Sequence, residues 1–391
     1  MVFELNEQQA EVSDLAEKWY KSQYKQVFEI SGPAGSGKTT IVYELIRRLG
    51  LNANDVLFMA YVGKAAMMLS LKGNFAKTIH STIYDVVNVP RLDENGEPIK
   101  KNGRTLTTVG FKRKPFLPAN IKLLVVDEGS MLNEPISLDI LSFGLPVIVL
   151  GDLNQLPPVF GEPYFLKNPD YILTKVMRQK EDDPIIKLSQ MAIKGQSIRP
   201  GRYGDKCFVI TKDLITDNLM RKSDIIICGK NETRQNINDY FRQKLMGIQE
   251  PKVPVVGDKI ICRQNNWRLS IDDNIFLING LIGYIDAIYL DTYDKKSICI
   301  DFRPEFMRHT KFENIRIDFD YLFQPVTDPK TNRFNMENKF QFAYAITAHL
   351  AQGSQYDNVL VYNEKIGTWD YYRKWLYTAI TRAVKGLVLA I

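Results

Sequence analysis

One segment near the N-terminus restricts most strongly what this chain can fold into. Residues 32–39 follow the pattern G-x-x-x-x-G-K-T, between a short apolar run at 27–30 and a helix-like stretch at 41–49. Glycine leaves backbone N–H groups unhindered and tolerates left-handed dihedral angles, so a loop of this type can wrap around phosphate oxygens. The flanking strand and helix favour a phosphate-binding loop over a glycine-rich turn in an ordinary βα unit. We therefore predict a nucleoside triphosphatase.

The residue types of this loop suit ATP and Mg²⁺. We expect Lys38 to reach the β- and γ-phosphates and the hydroxyl of Thr39 to bind Mg²⁺. The N-terminus of the helix that follows adds its partial positive charge. The residues predicted to bind the nucleotide here are Gly32, Pro33, Ala34, Gly35, Ser36, Gly37, Lys38, Thr39 and Thr40.

The composition is that of a globular protein in water. Of the 391 residues, 45% are hydrophobic and 25% are charged, and this length predicts two to four structural units. Because no run of about eighteen apolar residues and no basic-then-apolar leader occur, we expect a cytoplasmic protein without membrane segments. Four widely spaced cysteines and three histidines favour buried reduced thiols over a zinc site or a disulfide framework.

Short apolar runs alternate with amphipathic segments along most of the chain, which is typical of buried parallel strands and covering helices. The clearest runs in the first half are 27–30, 56–60, 123–126 and 147–150. A second pattern of this kind begins near Asp205 and resumes at 359–362. The sequence predicts an α/β fold with two domains in tandem, residues 1–180 and 181–391.

Two regions interrupt this pattern. Residues 85–118 are polar and basic and contain Asn95-Gly96, a dipeptide typical of hairpin turns. Residues 255–320 carry short, frequent strands. We predict a projecting β-hairpin in the first domain and a small β-barrel in the second. The net charge of +6 and the basic clusters of the first region are compatible with a polyanionic partner, and equally with a solvated loop.

An apolar strand that ends in two acids provides the rest of a hydrolytic site. The run 123–126 leads into Asp127 and Glu128, and carboxyl ends of parallel strands meet beside the phosphates. We predict that Asp127 holds Mg²⁺, through water, and that Glu128 orients and deprotonates the attacking water. Gln155 can donate to a γ-phosphate and accept from water, so we predict that it senses hydrolysis. The alternative is a strand that ends in two acids without any role in hydrolysis.

Several further motifs follow in a fixed order along the chain. They are Asp-Glu-Gly-Ser-Met at 127–131, Gly-Asp at 151–152 with Gln-Leu-Pro-Pro at 155–158, Ala-Ile-Thr-Ala-His at 345–349 with Gln-Gly-Ser at 352–354, and Tyr-Thr-Ala-Ile-Thr-Arg-Ala at 377–383. Together they resemble the RecD-like and Dda-like branch of the superfamily 1B helicases over nearly the whole chain. The resemblance implies two RecA-like domains with ATP between them, a pin-like hairpin at 85–118 and an SH3-like β-barrel at 255–320.

The resemblance also implies roles for single residues. Gln9 would read the adenine edge, and Gly353 would belong to the nucleotide site. Arg178 and Arg382 would reach the γ-phosphate from the side of the second domain and offset the charge of the transition state. Contacts to a nucleic-acid strand are implied for Lys64, Thr78, His80, Ser81, Asn231, Thr347 and His349.

On this resemblance we expect an ATP-dependent DNA helicase that moves 5′ to 3′ on single-stranded DNA in replication or repair. Its partners would be single-stranded DNA and DNA forks, with single-strand-binding or replication proteins as candidates, and the protein would act as a monomer. Two alternatives stay open. The chain could be a translocase that acts on RNA or strips bound proteins with weak unwinding, or a nucleotide-dependent switch that controls DNA binding.

Overall fold

Two six-stranded sheets, each built mainly from parallel strands, carry the two halves of the chain. They are seen in a computed structural model that describes residues 5–61, 63–70, 76–90, 92–93, 96–101, 104–158, 160–176, 183–250, 253–271, 275–290, 297–307, 309–323 and 338–391. Within these residues, no helix combines the length and the hydropathy that crossing a membrane needs.

The described strands are numbered in chain order. They are β1 Val27–Ser31, β2 Val56–Ala60, β3 Ala76–Thr78, β4 Tyr84–Pro90, β5 Lys100–Lys101, β6 Arg104–Thr105, β7 Thr107–Arg113, β8 Leu123–Asp127, β9 Val147–Gly151, β10 Tyr171–Ile172, β11 Gly201–Tyr203, β12 Cys207–Ile210, β13 Ile225–Cys228, β14 Lys259–Cys262, β15 Asn266–Ile271, β16 Ile275–Leu277, β17 Ile282–Leu290, β18 Ser297–Pro304, β19 Phe312–Asp318, β20 Phe340–Phe342, β21 Ala345–Thr347, β22 Tyr356–Tyr362 and β23 Ala383–Ala390.

The described α-helices are numbered in the same way. They are α1 Glu7–Ser22, α2 Lys38–Arg48, α3 Gly63–Ser70, α4 Ile79–Ile83, α5 Glu134–Leu141, α6 Pro184–Ile193, α7 Asp217–Lys222, α8 Asn231–Tyr240, α9 Phe319–Phe323 and α10 Trp369–Ile380. Short 3-10 turns cover Ala53–Asp55, Gly129–Met131 and Lys212–Leu214, and a π-helical turn, Phe241–Leu245, continues α8.

The first sheet has the strand order β10-β1-β9-β8-β2-β3, and all its pairs are parallel. The apolar runs predicted as strands form its centre, because helices cover both of its faces. On β8, Leu123 and Val125 pack with α1 and α2, whereas Leu124 and Val126 pack with α4 and α5. A strand buried on both faces must be apolar throughout, which is why these runs do not alternate with polar residues.

The second sheet has the order β11-β12-β23-β22-β13-β21, in which only the edge pair β11–β12 is antiparallel. On β13, Ile225 and Ile227 pack with α6 and α10, and Ile226 packs with α7 and α8. The strands of the first sheet lie within 27–172 and those of the second within 201–390. The domain limits 1–180 and 181–391 stay predictions.

The basic region 85–118 forms an antiparallel ribbon in which β4 pairs with β7 from Tyr84–Arg113 to Pro90–Thr107. Gly96, at φ 84°, makes a turn in which its N–H donates to Asp93 O at 3.1 Å, while its neighbour Asn95 lies outside the described residues. A second short pair, β5 with β6, follows this turn. The region is therefore a ribbon with an additional strand pair rather than one simple hairpin.

The region predicted as a β-barrel contains a five-stranded antiparallel sheet with the order β19-β18-β17-β14-β20. Its last strand, β20, lies beyond the predicted limit of 320, where it pairs with β14 and leads directly into β21 of the second sheet. Sequence reasoning missed β20 because a three-residue strand carries almost no periodic signal. The SH3-like identity of this region stays a prediction.

A buried ion pair joins the five-stranded sheet to the second α/β sheet. Arg242, in the π-helical turn after α8, donates from Nε to Asp258 Oδ1 at 2.9 Å, and both side chains are completely buried. The Asp258 carboxylate also accepts from Tyr344 OH and Val255 N, and the Arg242 guanidinium lies 4.0 Å from the centre of the Phe342 ring. Burial and the negative charge of Asp258 raise the pKa of Tyr344.

We expect Asp258→Ala to lower the free energy of unfolding by about 3–5 kcal/mol, because Arg242 would remain buried without its counter-charge. Asp357→Ala is the matched control, since Asp357 pairs with Lys385 at 2.8 Å on the surface, where an ion pair contributes less than about 1 kcal/mol. Unfolding in urea measures both changes. Equal losses in the two variants would contradict the role given to the Arg242–Asp258 pair.

Candidate active site and nucleic-acid interface

The predicted phosphate-binding loop connects β1 to α2. Gly35 and Gly37 have φ values of 83° and 85°, which other residues rarely adopt. A Cβ atom at position 37 would lie 2.2 Å from Nε2 of Gln9. Glycine is therefore needed at position 37 for both dihedral angle and space. Since α2 begins at Lys38, the loop lies at a helix N-terminus, where N–H groups attract anions.

Lys38 and Gln9 hold this loop from two sides. The ammonium of Lys38 donates to the carbonyl oxygens of Gly32 at 2.6 Å and Pro33 at 3.1 Å. Gln9 is buried, its Oε1 accepts from Asn6 N at 3.1 Å, and its Nε2 donates to Ser36 O at 3.1 Å. Gln9 thus closes the capping box of α1 and braces the loop. Its adenine contact stays a prediction.

The two predicted carboxylates stand where β8 ends. Asp127 is its last residue, and Glu128 follows in the left-handed region with φ 55°. A non-glycine residue with positive φ is a strained feature of the kind that clusters at functional sites. Glu128 N donates to Asp127 Oδ1 at 2.9 Å, which orients the Asp127 carboxylate against the backbone of Glu128.

Glu128 interacts electrostatically with both domains. Burial and the negative charge of Asp127 raise the pKa of Glu128 to about 7, while the positive charges of Arg382 and Lys38 oppose this rise. A carboxylate with this pKa is suited to accept a proton near neutral pH. Lys38 from the first domain and Arg382 from the second thus act on one carboxylate.

Gln155 is buried, and within the part of the chain that the structure describes its Oε1 atom has no hydrogen-bond partner. Its backbone N–H donates to the carbonyl oxygen of Asp152, and the Asp152 carboxylate accepts from Tyr377 OH at 2.7 Å. Burial and Asp152 raise the pKa of Tyr377 well above its ordinary value. A buried acceptor without a partner is unfavourable, so Gln155 is suited to bind a water or a ligand group.

Arg382 is buried at the end of α10. It donates from Nε to Thr378 O at 3.1 Å, from Nη1 to Ser354 O at 3.2 Å and from Nη2 to Thr381 Oγ1 at 3.2 Å. These three partners are uncharged, so they orient the guanidinium without neutralising it. The other predicted arginine, Arg178, lies outside the described residues.

A cleft of about 210 Å³ separates the phosphate-binding loop from the second domain. Its lining comprises Pro33, Ala34, Gly35, Val176, Ile185, Ile186, Ser189, Gln190, Lys206, Gln355, Tyr377, Thr381, Ala383 and Val384. Beside the cleft, Leu156 N donates to Thr378 Oγ1 at 2.9 Å, and Gln352 Nε2 donates to Leu156 O at 3.1 Å. The loop that carries Gln155 is therefore hydrogen-bonded to α10 and to the segment after β21.

The predicted strand contacts of the first domain lie in and around α4. Thr78 caps α4, because its Oγ1 accepts from Ser81 N at 3.3 Å and donates to Ser81 Oγ at 3.0 Å. The His80 ring lies 6.0, 5.5 and 5.4 Å from the rings of Tyr61, Tyr84 and Phe111. Burial lowers the pKa of His80, which favours its neutral, aromatic form.

Sequence reasoning missed the rings that surround His80. Phe111, on β7, is 56% exposed, so more than half of the residue is open to solvent. Tyr61 and Tyr84 reach the same place from the ends of β2 and α4. The β4–β7 ribbon brings Phe111 to this place, and Tyr61 comes from the end of β2, so no local motif predicts the cluster.

Lys64 and Gly353 both lie where α3 approaches the second domain. The Lys64 ammonium lies 4.9 Å from the centre of the Tyr356 ring, and burial lowers the pKa of Lys64 to about 8. A Cβ atom on Gly353 would lie 3.2 Å from that of Ala65 in α3. Gly353 therefore contacts the first domain at α3, and its predicted part in nucleotide binding stays untested.

The predicted strand contacts of the second domain share one edge of its sheet. Asn231, exposed, begins α8 after β13, and Thr347, buried, ends the neighbouring strand β21. His349 follows, with its Nε2 at 2.8 Å from Tyr371 OH, and burial lowers its pKa. Adjacent parallel strands thus bring these three residues to the same side of the domain.

Two family models match the chain. One, an AAA domain, matches residues 19–161, and the other, a UvrD-like helicase C-terminal domain, matches residues 342–390. The first match contains the phosphate-binding loop and the two acids, and the second contains Thr347, His349 and Arg382. The matches therefore cover residues 33–35 and 355–384 of the cleft lining, whereas its lining residues between 176 and 206 lie outside both matches.

Two relatives and one solved structure illustrate the similarity. The ATP-dependent RecD2 DNA helicase of Deinococcus radiodurans is 27% identical over 97% of this chain and 48% of its own length. The ATP-dependent DNA helicase dda of Enterobacteria phage T4 is 26% identical over 75% of this chain and 70% of its own. The crystal structure of Bacteroides Pif1 bound to ssDNA has a TM-score of 0.57 at 20% identity, covering 100% of this chain and 93% of that one.

This chain spans about half the length of the RecD2 relative. The likeness to Pif1 shows a shared fold, which confirms the predicted α/β class with tandem RecA-like domains.

We expect Glu128→Gln to stabilise the protein at pH 8. The pKa of Glu128 is about 7 in the folded chain against an ordinary 4.5, so ionisation destabilises the fold as pH rises from 4.5 through 7 and has no effect below that range. The neutral amide removes this penalty, which corresponds to about 1–3 kcal/mol at pH 8. Urea unfolding at pH 8, 6.5 and 5 should show the gain shrinking as pH falls.

Glu134→Gln is the control, because Glu134 is exposed in the first turn of α5. It removes one carboxylate from the surface of the same domain. A stability change in Glu128→Gln that is the same at pH 8 and pH 5 would show that burial does not raise the pKa of Glu128.

Proposed function

Because this chain belongs to the superfamily 1B helicases, in their RecD-like and Dda-like branch, we propose that it is an ATP-dependent DNA helicase. The observation that carries the proposal is the electrostatic action of Lys38 and Arg382, from two different domains, on Glu128. A nucleotide bound at this carboxylate would contact both domains. Hydrolysis would then change how the two domains hold each other.

In the proposed reaction, Glu128 accepts a proton from water while the water oxygen attacks the γ-phosphorus. The bond between that phosphorus and the β,γ-bridging oxygen breaks, and ADP leaves with the electron pair. Lys38 and Arg382 stabilise the negative charge of the transferring group. Arg178 is proposed as a second arginine in this role, and Gln155 positions the water through its unpartnered Oε1.

The residues at the loop suit Mg²⁺. A hydroxyl at Thr39 and a carboxylate at Asp127 are hard oxygen ligands, and no group of three or more His, Cys, Asp or Glu side chains among the described residues offers a cage of protein ligands. Mg²⁺ usually keeps several waters and binds one or two protein groups together with phosphates. Thr39 and Asp127 would hold the ion, which would neutralise phosphate charge when bound.

The hydrogen bonds beside the cleft provide the proposed coupling. Gln155 lies one residue before Leu156, whose N–H and carbonyl bind Thr378 and Gln352. Gln352 follows β21 closely, and β21 ends at Thr347. A shift of the Gln155 loop on loss of the γ-phosphate would therefore move α10 and the edge of the second sheet against the first domain.

Single-stranded DNA is the proposed partner, held along the edge that runs from His80 in the first domain to Asn231, Thr347 and His349 in the second. Hydroxyl, amide and imidazole groups contact phosphate and sugar without reading sequence, and the rings around His80 offer faces for bases. Lys64, Thr78 and Ser81 complete the proposed contacts.

On the family resemblance, the β4–β7 ribbon acts as a pin at the fork and the five-stranded sheet as an SH3-like guide. The same resemblance gives the 5′ to 3′ direction and a monomer that acts on forked DNA. Single-strand-binding and replication proteins are its proposed further partners.

We expect a single-stranded oligonucleotide to raise the rate of ATP hydrolysis at least tenfold, because strand binding brings Arg382 and Lys38 to a common nucleotide. Lys38→Ala should lower the stimulated rate by about 10³ or more. Lys385→Ala, a change of the same type on the surface, should leave it unaltered. Hydrolysis that is slow and indifferent to the oligonucleotide would favour the nucleotide-dependent switch.

Partial duplexes with either a 5′ or a 3′ single-stranded overhang test direction and unwinding together. We expect ATP-dependent strand separation on the 5′ overhang and little on the 3′ overhang, measured by the release of a fluorescent strand. Removal of a streptavidin block from a single strand, without unwinding, would instead support a protein-stripping translocase. Comparison of DNA with RNA overhangs decides the preferred polymer.

A further inference from the structure

A buried arginine in the second domain lies outside the hydrolytic chemistry. Arg234, on the inner face of α8, is 1% exposed, and its Nε and Nη2 atoms have no hydrogen-bond partner in the described chain. One turn later on the same face of α8, Asn238 differs from Arg234 because its side chain has hydrogen-bond partners. Its amide donates to Ala345 O and accepts from Tyr344 N and Ala345 N.

A second arginine shares this environment. Arg263 follows β14, and two of its nitrogens, Nε and Nη1, likewise have no partner among the described residues. Burial lowers the pKa of Arg234, and the positive charge of Arg263 lowers it further. Tyr321 in α9 hydrogen-bonds to Arg263, and the Lys339 ammonium lies 5.4 Å from the centre of the Tyr321 ring.

This arrangement is unfavourable for a protein that binds nothing here. Buried N–H groups of a guanidinium that have no acceptor lose the hydration that they have in water, and two like charges repel each other. None of the ion pairs between described side chains includes Arg234 or Arg263. Buried charges of this kind normally have a counter-ion. An anion that binds here is therefore the simplest explanation for the four nitrogen atoms that lack a hydrogen-bond partner.

We propose that Arg234 and Arg263 form a binding site for one phosphate group of the bound polynucleotide. Guanidinium groups present planar pairs of N–H donors that match two oxygens of a tetrahedral phosphate, and two such groups can share one phosphodiester. Neither residue belongs to the strand contacts implied by the family resemblance. This inference rests on the proposed function, because it requires a strand on the second domain.

The position of the pair identifies the source of the phosphate. Arg234 lies three residues after Asn231 on α8. Its backbone N–H donates to Lys230 O, which also accepts from the thiol of Cys228 at the end of β13. Cys228 pairs in register with Thr347. The arginine pair therefore lies beside Asn231 and Thr347, at the junction of the second sheet with the five-stranded sheet, where the proposed strand passes.

Fluorescence anisotropy with a single-stranded oligonucleotide, from 50 to 200 mM salt, tests the site. We expect Arg234→Met and Arg263→Met each to weaken binding about tenfold and to reduce the slope of log affinity against log salt by about 0.7, the value for one phosphate contact to a single strand. Arg234→Lys should keep the slope. Arg202→Met, which removes an exposed arginine of the same domain, should change neither quantity.

Thermal unfolding without nucleic acid separates binding from a structural role. Arg234→Met should keep or raise the melting temperature, because methionine fills a similar volume without a buried charge. A melting temperature several degrees lower, with affinity for the strand unchanged, would overturn the proposal. Equal affinity and slope in wild type, Arg234→Met and Arg263→Met would also overturn it, whereas a wild type that binds no strand would overturn the proposed function itself.

Two further experiments distinguish a phosphate of the bound strand from a free phosphate ion. Neutral methylphosphonate linkages, introduced one at a time, should weaken wild-type binding at one position more than at the others, and Arg234→Met should lose this preference. Inorganic phosphate is tested by thermal unfolding at constant ionic strength. Stabilisation of the wild type by millimolar phosphate, with no methylphosphonate position that depends on Arg234, would assign the site to a free anion and contradict a strand contact.

Discussion

The electrostatic interaction of Glu128 with Lys38 and Arg382 is the one on which the rest of the structure depends. Lys38 is fixed by a helix N-terminus, Glu128 by a strained turn at the end of β8, and Arg382 by three uncharged acceptors at the end of α10. None of the three is neutralised by its own immediate partners. The three groups therefore concentrate charge between the phosphate-binding loop, the end of β8 and the end of α10, where a triphosphate could balance it, and both α/β sheets hold these groups in place.

The hydrogen bonds between the domains would connect a change in these charges to a movement of one domain against the other. The segment 152–156 binds Tyr377, Thr378 and Gln352 through two backbone groups and one carboxylate. Hydrogen bonds weaken steeply when their geometry changes, so a shift of this segment would alter its contacts with the second domain. The same segment contains Gln155, whose Oε1 atom has no hydrogen-bond partner among the residues that the structure describes. In the proposed mechanism, these five residues would link hydrolysis to domain movement, which is what a motor or a switch requires.

Much of the fold and of the hydrolytic site could be predicted because their signals are local. The buried strands β1, β2, β8 and β9 have apolar runs of the right length, and the phosphate-binding loop and the acids have fixed spacings. The missed features depend on distant pairing. Strand β20 is recognisable only by its register with β14, and Phe111 reaches the ring of His80 only because β7 pairs with β4. Arg178 lies outside the described residues, so its role stays a prediction.

By itself, the sequence determined which residues can perform phosphate chemistry and that two α/β units carry them, because glycine spacing, strand-terminal acids and apolar periodicity are properties of short segments. The tertiary structure alone decided which groups share an environment. Burial raises the pKa of Glu128 to about 7. Packing brings the charges of Arg234 and Arg263 close enough to interact, and among the described residues it leaves two nitrogens of each without a hydrogen-bond partner. Neither fact can be deduced from local sequence, since desolvation and charge proximity arise only when distant parts of the chain come together.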